Sequence, residues 1–236
     1  PFTPMQCKAI INKFPGTELV IEPSDIRCFN DQEYIDCGIK TQTDLNDCDI
    51  LMGVKEVPME NLIADKTYFF FSHTIKKQPY NKTLLQSILS KRIKLIDYET
   101  LKLEDGNRVV AFGRFAGIVG AYNGLLTYGK KFKRYDLKPA NTCFDMKEMQ
   151  VELKKVSLPN IKITITGKGR VAQGAIEILK ATNIREVTPD DYLAQSFDSP
   201  VFTVLDSHDY NQRIDGSAFN FKTFHEEASI FEVTFR

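Results

Sequence analysis

Short apolar runs alternate with amphipathic segments along the first half of the chain, and no other feature constrains the fold as strongly. The runs lie at 49–54, 67–71 and 93–96, and residues 79–90 carry leucine and isoleucine at helical spacing. Nearly continuous apolar runs predict parallel strands that are buried on both faces. Strands that alternate with helices in this way indicate an α/β fold with a parallel sheet.

A second region of the same kind follows a polar stretch at 129–160. Its predicted strands lie at 161–166, 183–187 and 200–205, with a glycine-rich turn and a helix after the first of them. A complete dinucleotide-binding fold has about six strands, and this region predicts fewer. We therefore expect two Rossmann-like parallel-sheet domains, of which the second is incomplete in this chain.

The charge balance argues against two classes of partner. The 236 residues carry 31 Lys and Arg against 31 Asp and Glu, which gives no electrostatic reason to expect nucleic acid or an anionic membrane as a partner. Residues 109–128 have the length of a membrane span, but Arg114 and several glycines interrupt them. We expect a closely packed, buried helix there and no membrane contact.

Cysteine and histidine usage bears on metal binding and on the compartment. None of the five cysteines belongs to a C-x-x-C pair, and the three histidines are scattered at 73, 208 and 225. This spacing predicts no metal site. We expect the cysteines to be reduced and buried, and the protein to be cytoplasmic.

The turn after the first strand of the second region carries a G-x-G pattern. Gly167 and Gly169 are followed by Ala172, where a third glycine is usual, and by Gly174. A strand, such a turn and a helix together predict binding of a dinucleotide pyrophosphate; the alternative is a tight turn without a ligand. An acidic partner for the ribose is expected about 20 residues on. Three candidates lie near that place and leave both NAD and NADP open: Glu186, Asp190 and Asp191.

Charged side chains follow the ends of three successive predicted strands. Lys55 and Glu56 come after the first strand, His73 after the second and residues 97–99 after the third. The carboxyl ends of parallel strands meet at one edge of a sheet, so we expect these groups to share a crevice. Histidine transfers protons in either direction near neutral pH, and a desolvated lysine beside glutamates can act as a base. The alternative is a set of solvated or purely structural side chains.

Four segments resemble one family of enzymes. They are GVKEVP at 53–58, FFFSHTIKKQ at 69–78, LIDYE at 95–99 and RVVAFGRFAGIVGAYN at 108–123. Together they are similar to the saccharopine dehydrogenase (L-lysine-forming) and lysine–ketoglutarate reductase family, which is related to alanine dehydrogenase and to the transhydrogenase nucleotide domain. The resemblance implies an oxidoreductase that acts on a CH–NH bond, uses NAD or NADP and interconverts saccharopine with L-lysine and 2-oxoglutarate.

The resemblance also implies roles for individual residues. Lys55 is similar to the family's base that accepts the amine proton, and His73 to its acid–base group for hydrolysis of the imine and carbinolamine. Glu56 and Glu99 match the carboxylates that tune these two groups. The positions that match substrate-holding residues are Lys76 and Gln78. The positions that match cofactor-binding residues are Gly167, Gly169, Arg170, Val171 and Gly174.

The same resemblance implies a domain organisation. Residues 1–128 are expected to form a substrate-binding and catalytic domain similar to the N-terminal domain of alanine dehydrogenase. Residues 129–160 would connect it to a partial dinucleotide-binding Rossmann domain at 161–236. The family has an arginine-containing stretch before a segment like 1–4 and continues beyond a segment like 231–236. The chain is therefore expected to lack part of both sites.

Two other functions are alternatives. One is an amino acid dehydrogenase like alanine dehydrogenase, which would need fewer cationic groups because alanine has one carboxylate and saccharopine has three. The other is a non-catalytic nucleotide-binding module, which would bind a nucleotide without turnover. The sequence leaves the oligomeric state and the physiological direction of the reaction open.

Overall fold

Each half of the chain is built around a three-stranded parallel sheet, which confirms the predicted α/β class. The computed structural model describes residues 1–234, so Phe235 and Arg236, at the end of the predicted dinucleotide-binding domain, lie outside the described residues. Contacts within the chain define two units, Pro1–Ala111 and Phe112–Arg236.

The first unit alternates helices and strands in the predicted order. Its elements are α1 (Pro4–Lys13), β1 (Val20–Ile21), α2 (Asp31–Asp36), β2 (Lys40–Thr41), β3 (Ile50–Met52), β4 (Thr67–Phe70), α3 (Lys82–Ser90) and β5 (Lys94–Asp97). Short 3-10 helices lie at Met59–Asn61, Thr74–Lys76 and Pro79–Asn81. β1 pairs with β2 in parallel, and β4 stands between β3 and β5 in a parallel sheet.

The core of the first unit joins α3 to one face of the β3–β4–β5 sheet. Its buried apolar side chains are Leu62, Tyr68, Phe70, Leu84, Ile88 and Ile93. A second apolar cluster joins α1, α2 and the segments around β1 and β2 through Cys7, Ile21, Tyr34 and Ile39. The helical spacing in 79–90 predicts the first of these contacts for Leu84 and Ile88. Leu85 and Leu89, which the same spacing predicts on that face, are 40% and 68% exposed.

The prediction that the strand at 49–54 is buried on both faces is wrong. β3 lies at the edge of its sheet and pairs with β4 only. Leu51 packs against the core that α3 shares with the sheet, whereas Ile50 and Met52 on the other face are 57% and 38% exposed. An apolar run therefore identifies the strand correctly but does not reveal how many of its faces are covered.

The second unit continues with helices and strands in the predicted order. Its elements are α4 (Gly113–Phe132), α5 (Met146–Leu153), β6 (Lys162–Thr166), α6 (Arg170–Ala181), β7 (Arg185–Glu186), α7 (Pro189–Ala194), β8 (Val201–Leu205), β9 (Asn211–Arg213), α8 (Phe221–Glu226) and β10 (Phe231–Val233). Short 3-10 helices lie at Ala140–Thr142, Ser207–Asp209 and Ala228–Ile230. β8 stands between β6 and β7 in a parallel sheet, and β9 pairs with β10 in an antiparallel hairpin.

A close helix crossing holds α4 against α6. The backbone of α4 approaches α6 so closely that a Cβ on Gly117 would overlap the Val171 carbonyl oxygen, and a Cβ on Gly174 would overlap the Arg114 carbonyl oxygen. Arg114 also forms a two-pronged ion pair with Glu177 across the crossing, at 3.0 and 2.8 Å. Because α4 packs on α6, the second unit begins at 112, earlier than the predicted domain end at 128.

The helix expected over 109–128 runs over Gly113–Phe132 and is packed closely, as predicted. Within residues 1–234, no helix combines the length and apolar character that crossing a bilayer requires. The expectation that all five cysteines are buried is wrong. Cys7 is buried, Cys28 is exposed and the other three are half-buried, all as free thiols.

The helix crossing generates a stability prediction. Gly117→Ala should lower the free energy of unfolding of the second unit by about 3 kcal/mol, because the added methyl group forces the two helix backbones apart. Gly120→Ala is the matched control in the same helix, because a Cβ at that position meets no atom within 4 Å. In Gly120→Ala, the higher helix propensity of alanine should raise the free energy of unfolding by up to ~1 kcal/mol. Urea denaturation measures the free energy of unfolding of both variants. An equal change in the two variants would contradict the proposed role of the crossing.

Candidate active site

The ends of β4 and β5 bring two of the predicted residues together. Phe70 and Asp97, the last residues of these strands, are partners in the parallel ladder. His73 follows β4 and Glu99 follows β5, and His73 Nδ1 lies 3.1 Å from Glu99 Oε2. Neighbouring strand ends thus place an imidazole and a carboxylate in hydrogen-bond contact.

Glu99 is a buried carboxylate surrounded by nitrogen donors. Its side chain is 4% exposed, and its Oε1 lies 3.3 Å from Lys76 Nζ and 3.6 Å from Arg108 Nη2. Burial raises the pKa of Glu99, but hydrogen bonds from His73 and Lys76 outweigh burial, so the pKa lies below the ordinary value. Glu99 is therefore ionised at neutral pH and attracts all three neighbouring groups.

Lys55 approaches the other nitrogen of the same imidazole. Lys55 Nζ lies 3.3 Å from His73 Nε2. An ammonium group only donates and a carboxylate only accepts, so the two contacts assign the ring proton to Nδ1 and leave Nε2 to accept from Lys55. Lys76 Nζ also lies 3.3 Å from Nδ1, but a protonated Nδ1 cannot accept, so Lys76 pairs with Glu99. A continuous path of contacts runs from Lys55 through His73 to Glu99.

The backbone and an aromatic ring orient His73. Its φ of 56° and ψ of 8° lie in the left-handed region, which costs a residue with a side chain roughly 1–2 kcal/mol. The imidazole stacks on the Phe71 ring, with centroids 6.2 Å apart and planes 23° apart. Phe71 in turn makes an edge contact with Tyr98, at 5.4 Å between centroids. The rings on one side and Glu99 on the other limit the rotation of the imidazole.

Three predicted residues differ from expectation in their surroundings. Lys55 is exposed within the first unit, so the expected desolvation of this amine is not found there. Glu56 is half-buried, and in the described part of the chain it has no hydrogen bond or ion pair to Lys55 or His73. Gln78 is exposed and accepts a hydrogen bond from the Tyr80 hydroxyl at 2.8 Å. The structure therefore gathers Lys55, His73 and Glu99, with Lys76 beside them, but not Glu56 or Gln78.

Sequence reasoning missed Arg108, which a turn brings back to Glu99. Residues 101–103 and 107–109 run antiparallel, with Lys102 and Arg108 as bridge partners. Gly106 in the connecting turn has a φ of 81°, which glycine adopts at little cost. An Asp-Gly pair between two short segments is a known hairpin signal, and it predicts the turn, although not the contact of Arg108 with Glu99.

The glycine turn of the second unit fits a pyrophosphate. Gly167 has a φ of 87°, and its N–H donates to the Leu205 carbonyl oxygen at 2.7 Å. A Cβ on Gly167 or Gly169 would meet no atom within 4 Å, so there is open space beside the turn. α6 begins directly after Gly169, and the first N–H groups of a helix have no partner inside the helix. Such N–H groups beside open space suit an anionic group.

The other predicted cofactor-binding residues lie in two places, the first turn of α6 and the contact between α6 and α4. Arg170 and Val171 are exposed in the first turn of α6. Gly174 is buried against the backbone of Arg114 in α4. Close packing alone accounts for a glycine at position 174, and contact of this residue with a cofactor stays a prediction.

The strand order changes which acidic residue lies beside the glycine turn. β8 is the neighbour of β6, so Asp206, which follows β8, lies next to the loop after β6, and Lys168 Nζ is 3.6 Å from Asp206 Oδ2. Glu186 lies in β7, one strand further from β6, and Asp190 and Asp191 lie in the first turn of α7. Sequence reasoning missed Asp206 because it sought the acidic residue only by its spacing, about 20 residues after the glycine turn.

Comparison with known protein families covers the first unit. Residues 1–119 match the family model described as "Alanine dehydrogenase/PNT, N-terminal domain". This range includes Lys55, His73 and Glu99, and it ends inside α4.

Curated relatives cover most of this chain, although the chain covers only part of them. It is 33% identical over 209 residues to the mitochondrial alpha-aminoadipic semialdehyde synthase of Rattus norvegicus, covering 81% of this chain and 22% of that protein. It is 28% identical over 188 residues to saccharopine dehydrogenase [NAD(+), L-lysine-forming] of Yarrowia lipolytica, covering 72% of this chain and 51% of that protein. The chain thus spans about a fifth to a half of the length of these relatives.

A solved structure shares the fold. An L-alanine dehydrogenase matches with a TM-score of 0.54 and 14% sequence identity, covering 86% of this chain and 56% of that one. At this identity the match bears on the fold alone, and it confirms the Rossmann-like expectation. The resemblance to saccharopine dehydrogenase and to the N-terminal domain of alanine dehydrogenase is confirmed by the family model and the curated relatives.

The ion pairs of Glu99 predict a particular dependence of stability on pH. Because the pKa of Glu99 is lowered in the folded protein, its stabilising effect is complete above the ordinary carboxyl value and is lost as the pH falls through the folded value. Glu99→Gln should therefore unfold at lower urea concentration than wild type at pH 7, and the difference should shrink towards about pH 3. Glu60→Gln, which changes an exposed carboxylate of the same unit, is the control. A difference that stays constant between pH 7 and pH 3 would contradict the assignment.

Proposed function

The chain belongs to the alanine dehydrogenase/PNT, N-terminal domain family, and we propose that it acts in a nicotinamide-dependent oxidoreductase that interconverts saccharopine with L-lysine and 2-oxoglutarate. The observation that carries the proposal is the path of contacts from Lys55 through His73 to the buried Glu99 carboxylate. Two curated relatives support it, since one is named a saccharopine dehydrogenase and the other an alpha-aminoadipic semialdehyde synthase.

The proposed chemistry uses Lys55 and His73 for successive proton transfers. In the direction of lysine formation, Lys55 in its neutral form accepts the proton of the secondary amine of saccharopine while the adjacent carbon loses a hydride, which leaves an imine. His73 then accepts a proton from the water that adds to the imine carbon, while Lys55 returns its proton to the imine nitrogen, and the product is a neutral carbinolamine. As the C–N bond breaks, His73 gives that proton to the departing lysine nitrogen, the carbinolamine hydroxyl loses its proton to Lys55, and 2-oxoglutarate remains. Glu99 stabilises the imidazolium that forms between these two steps.

Substrate carboxylates are proposed to bind the cationic groups beside Glu99. Lys76 and Arg108 have side chains that are 46% and 49% exposed, so each retains donors that are free to face a ligand. Saccharopine has three carboxylates, and a substrate of that charge suits several cations around one proton-transfer group. This cluster favours saccharopine over a substrate with a single carboxylate. Gln78 is proposed as a further polar contact from the segment after His73.

The second unit is proposed to hold the nicotinamide cofactor. The turn at Gly167 and Gly169, with the first residues of α6, would hold the pyrophosphate through backbone N–H groups. When bound, the cofactor supplies the acceptor or donor of the hydride. Asp206 would accept hydrogen bonds from the ribose hydroxyls, and its negative charge would repel a 2′-phosphate, so we expect a preference for NAD over NADP. A cytoplasmic location stays part of the proposal, although the rat relative is named a mitochondrial protein.

A steady-state assay separates this function from its alternatives. The oxidation of NADH is followed with L-lysine and 2-oxoglutarate, and separately with pyruvate and ammonia, using the full-length protein that contains this chain. Turnover that requires lysine supports the proposal. Turnover with pyruvate and ammonia alone would indicate an alanine-dehydrogenase-like enzyme. Binding of NADH without turnover in either assay would indicate a non-catalytic module, and either result would overturn the proposal.

Replacement of the proposed base gives a kinetic prediction. Lys55→Met should lower kcat for saccharopine oxidation by about a hundredfold or more, because the amine proton loses its acceptor, while the Kd for NADH stays nearly unchanged. Lys94→Met, which removes an exposed lysine at the start of β5, is the matched control and should retain wild-type kcat. A Lys55→Met enzyme as fast as wild type would refute the assigned role.

Coenzyme preference can be tested by binding alone. Asp206→Asn keeps the size of the side chain but removes its charge, so the ratio of the Kd for NADPH to that for NADH should fall by about tenfold. Asp190→Asn changes one of the acids that the sequence suggested and should leave the ratio at the wild-type value. Quenching or enhancement of nicotinamide fluorescence reports both constants. A larger change in the Asp190 variant than in the Asp206 variant would reject Asp206 as the ribose partner.

A further inference from the structure

The geometry points to Asp97 as a positioning residue that fixes His73 and Glu99 relative to each other. Asp97 is the last residue of β5, and it is buried at 6% exposure. In residues 1–234 its side chain forms no ion pair, and it accepts hydrogen bonds from two backbone N–H groups and one hydroxyl. The kinetic part of the inference rests on the proposed function, whereas the structural part does not.

The Asp97 carboxylate ties the two strand ends together. Its Oδ1 accepts a hydrogen bond from the Glu99 N–H at 2.9 Å and a longer one from the Ser72 N–H at 3.4 Å. Its Oδ2 accepts from the Ser72 hydroxyl at 2.5 Å. Ser72 immediately precedes His73. The Asp97 carboxylate therefore bonds both the backbone next to His73 and the backbone of Glu99, which is the partner of the His73 imidazole. The distance between His73 and Glu99 therefore depends on Asp97.

The same network continues to the other side of His73. The Ser72 oxygen, which donates its only proton to Asp97, accepts hydrogen bonds from the Thr74 N–H at 3.2 Å and from the Thr74 hydroxyl at 2.8 Å. His73 thus has a hydrogen-bonded neighbour on each side, and Ser72 is completely buried. These bonds offset the cost of the left-handed backbone at His73. A conformation of this kind persists only where its surroundings hold it in place.

The chemistry of this network favours a carboxylate at position 97. Asparagine has the same shape, but its amide nitrogen donates where the Asp97 oxygen accepts. In an Asp97→Asn protein, the amide nitrogen would donate to the Ser72 oxygen, so the Ser72 proton would turn to the Thr74 hydroxyl and the direction of that hydrogen bond would reverse. The charge-assisted bonds that join the two strand ends would become weaker neutral bonds, and the Ser72–Thr74 turn would loosen and carry His73 away from Glu99.

The first test compares kinetics in a double-mutant cycle on the full-length protein. Asp97→Asn should lower kcat for lysine-dependent turnover by about ten- to a hundredfold, because an error of about 1 Å in placing a catalytic group can cost a hundredfold in rate. The Kd for NADH should not change. In a Glu99→Gln background the same substitution should cost less than about threefold, because the contact that Asp97 maintains is already lost. Equal losses in both backgrounds, or none in either, would overturn the inference.

The matched control lies at the opposite end of the same strands. Asp65 precedes β4, has a left-handed φ of 63° and pairs with Arg92 of the loop before β5. Asparagine tolerates that backbone conformation, so Asp65→Asn should keep wild-type kcat even where it lowers the unfolding temperature. The inference would fail if both variants lost kcat in proportion to the decrease in their unfolding temperatures. Asp97 would then affect activity only through the general stability of the protein.

A crystal structure of Asp97→Asn tests the inference without relying on the proposed reaction. The His73 Nδ1 to Glu99 separation should increase beyond 3.5 Å in the variant, and an unchanged 3.1 Å contact would overturn the inference whatever the enzyme proves to catalyse. Thr74→Val removes only the hydroxyl that donates to Ser72, so it serves if Asp97→Asn fails to fold. Thr74→Val should also increase the distance between His73 Nδ1 and Glu99, and it should lower kcat by about threefold. An unchanged distance in this variant would equally overturn the inference.

Discussion

The buried carboxylate of Glu99 organises the proton-transfer groups of the first unit. Water is largely excluded from its oxygens, so each contact with His73, Lys76 and Arg108 is stronger than it would be at the surface. A buried carboxylate is costly to maintain unless such partners are present. The arrangement is thus mutually dependent: the cations keep Glu99 ionised, and Glu99 keeps the imidazole in one orientation and one tautomer.

The second unit depends on a different constraint, the close approach of two helix backbones. Gly117 and Gly174 permit α4 and α6 to touch along their main chains, and α6 is the helix whose N-terminus follows the glycine turn. Two constraints therefore set the position of that N-terminus. The contact with α4 fixes helix α6 itself, and the pairing of β6 with β8 fixes the strand that leads into the glycine turn. The insertion of β8 between β6 and β7 then brings Asp206, rather than an acid of β7 or α7, to the turn.

Much of this organisation could be predicted from the sequence, because hydrophobic periodicity and the ends of predicted strands are local signals. These signals identify the strands that precede Lys55 and His73 and the strand–turn–helix at Gly167. Three features could not be predicted, since each depends on spatial neighbours that a linear sequence does not specify. These are the exposed face of β3, the return of Arg108 to Glu99 and the insertion of β8. Glu56 illustrates the opposite case, because adjacency to Lys55 in the chain suggested a contact that the fold does not form.

The central claim is that His73 is held between Glu99 and Lys55 with its proton on Nδ1. The 15N chemical shifts of the His73 ring, assigned through a His73→Gln variant and recorded at a pH where the ring is neutral, measure this directly. The account predicts a protonated Nδ1 with a downfield proton that couples to it, and an unprotonated Nε2. A ring that carries its proton on Nε2, or that exchanges freely between the two tautomers, would contradict the account.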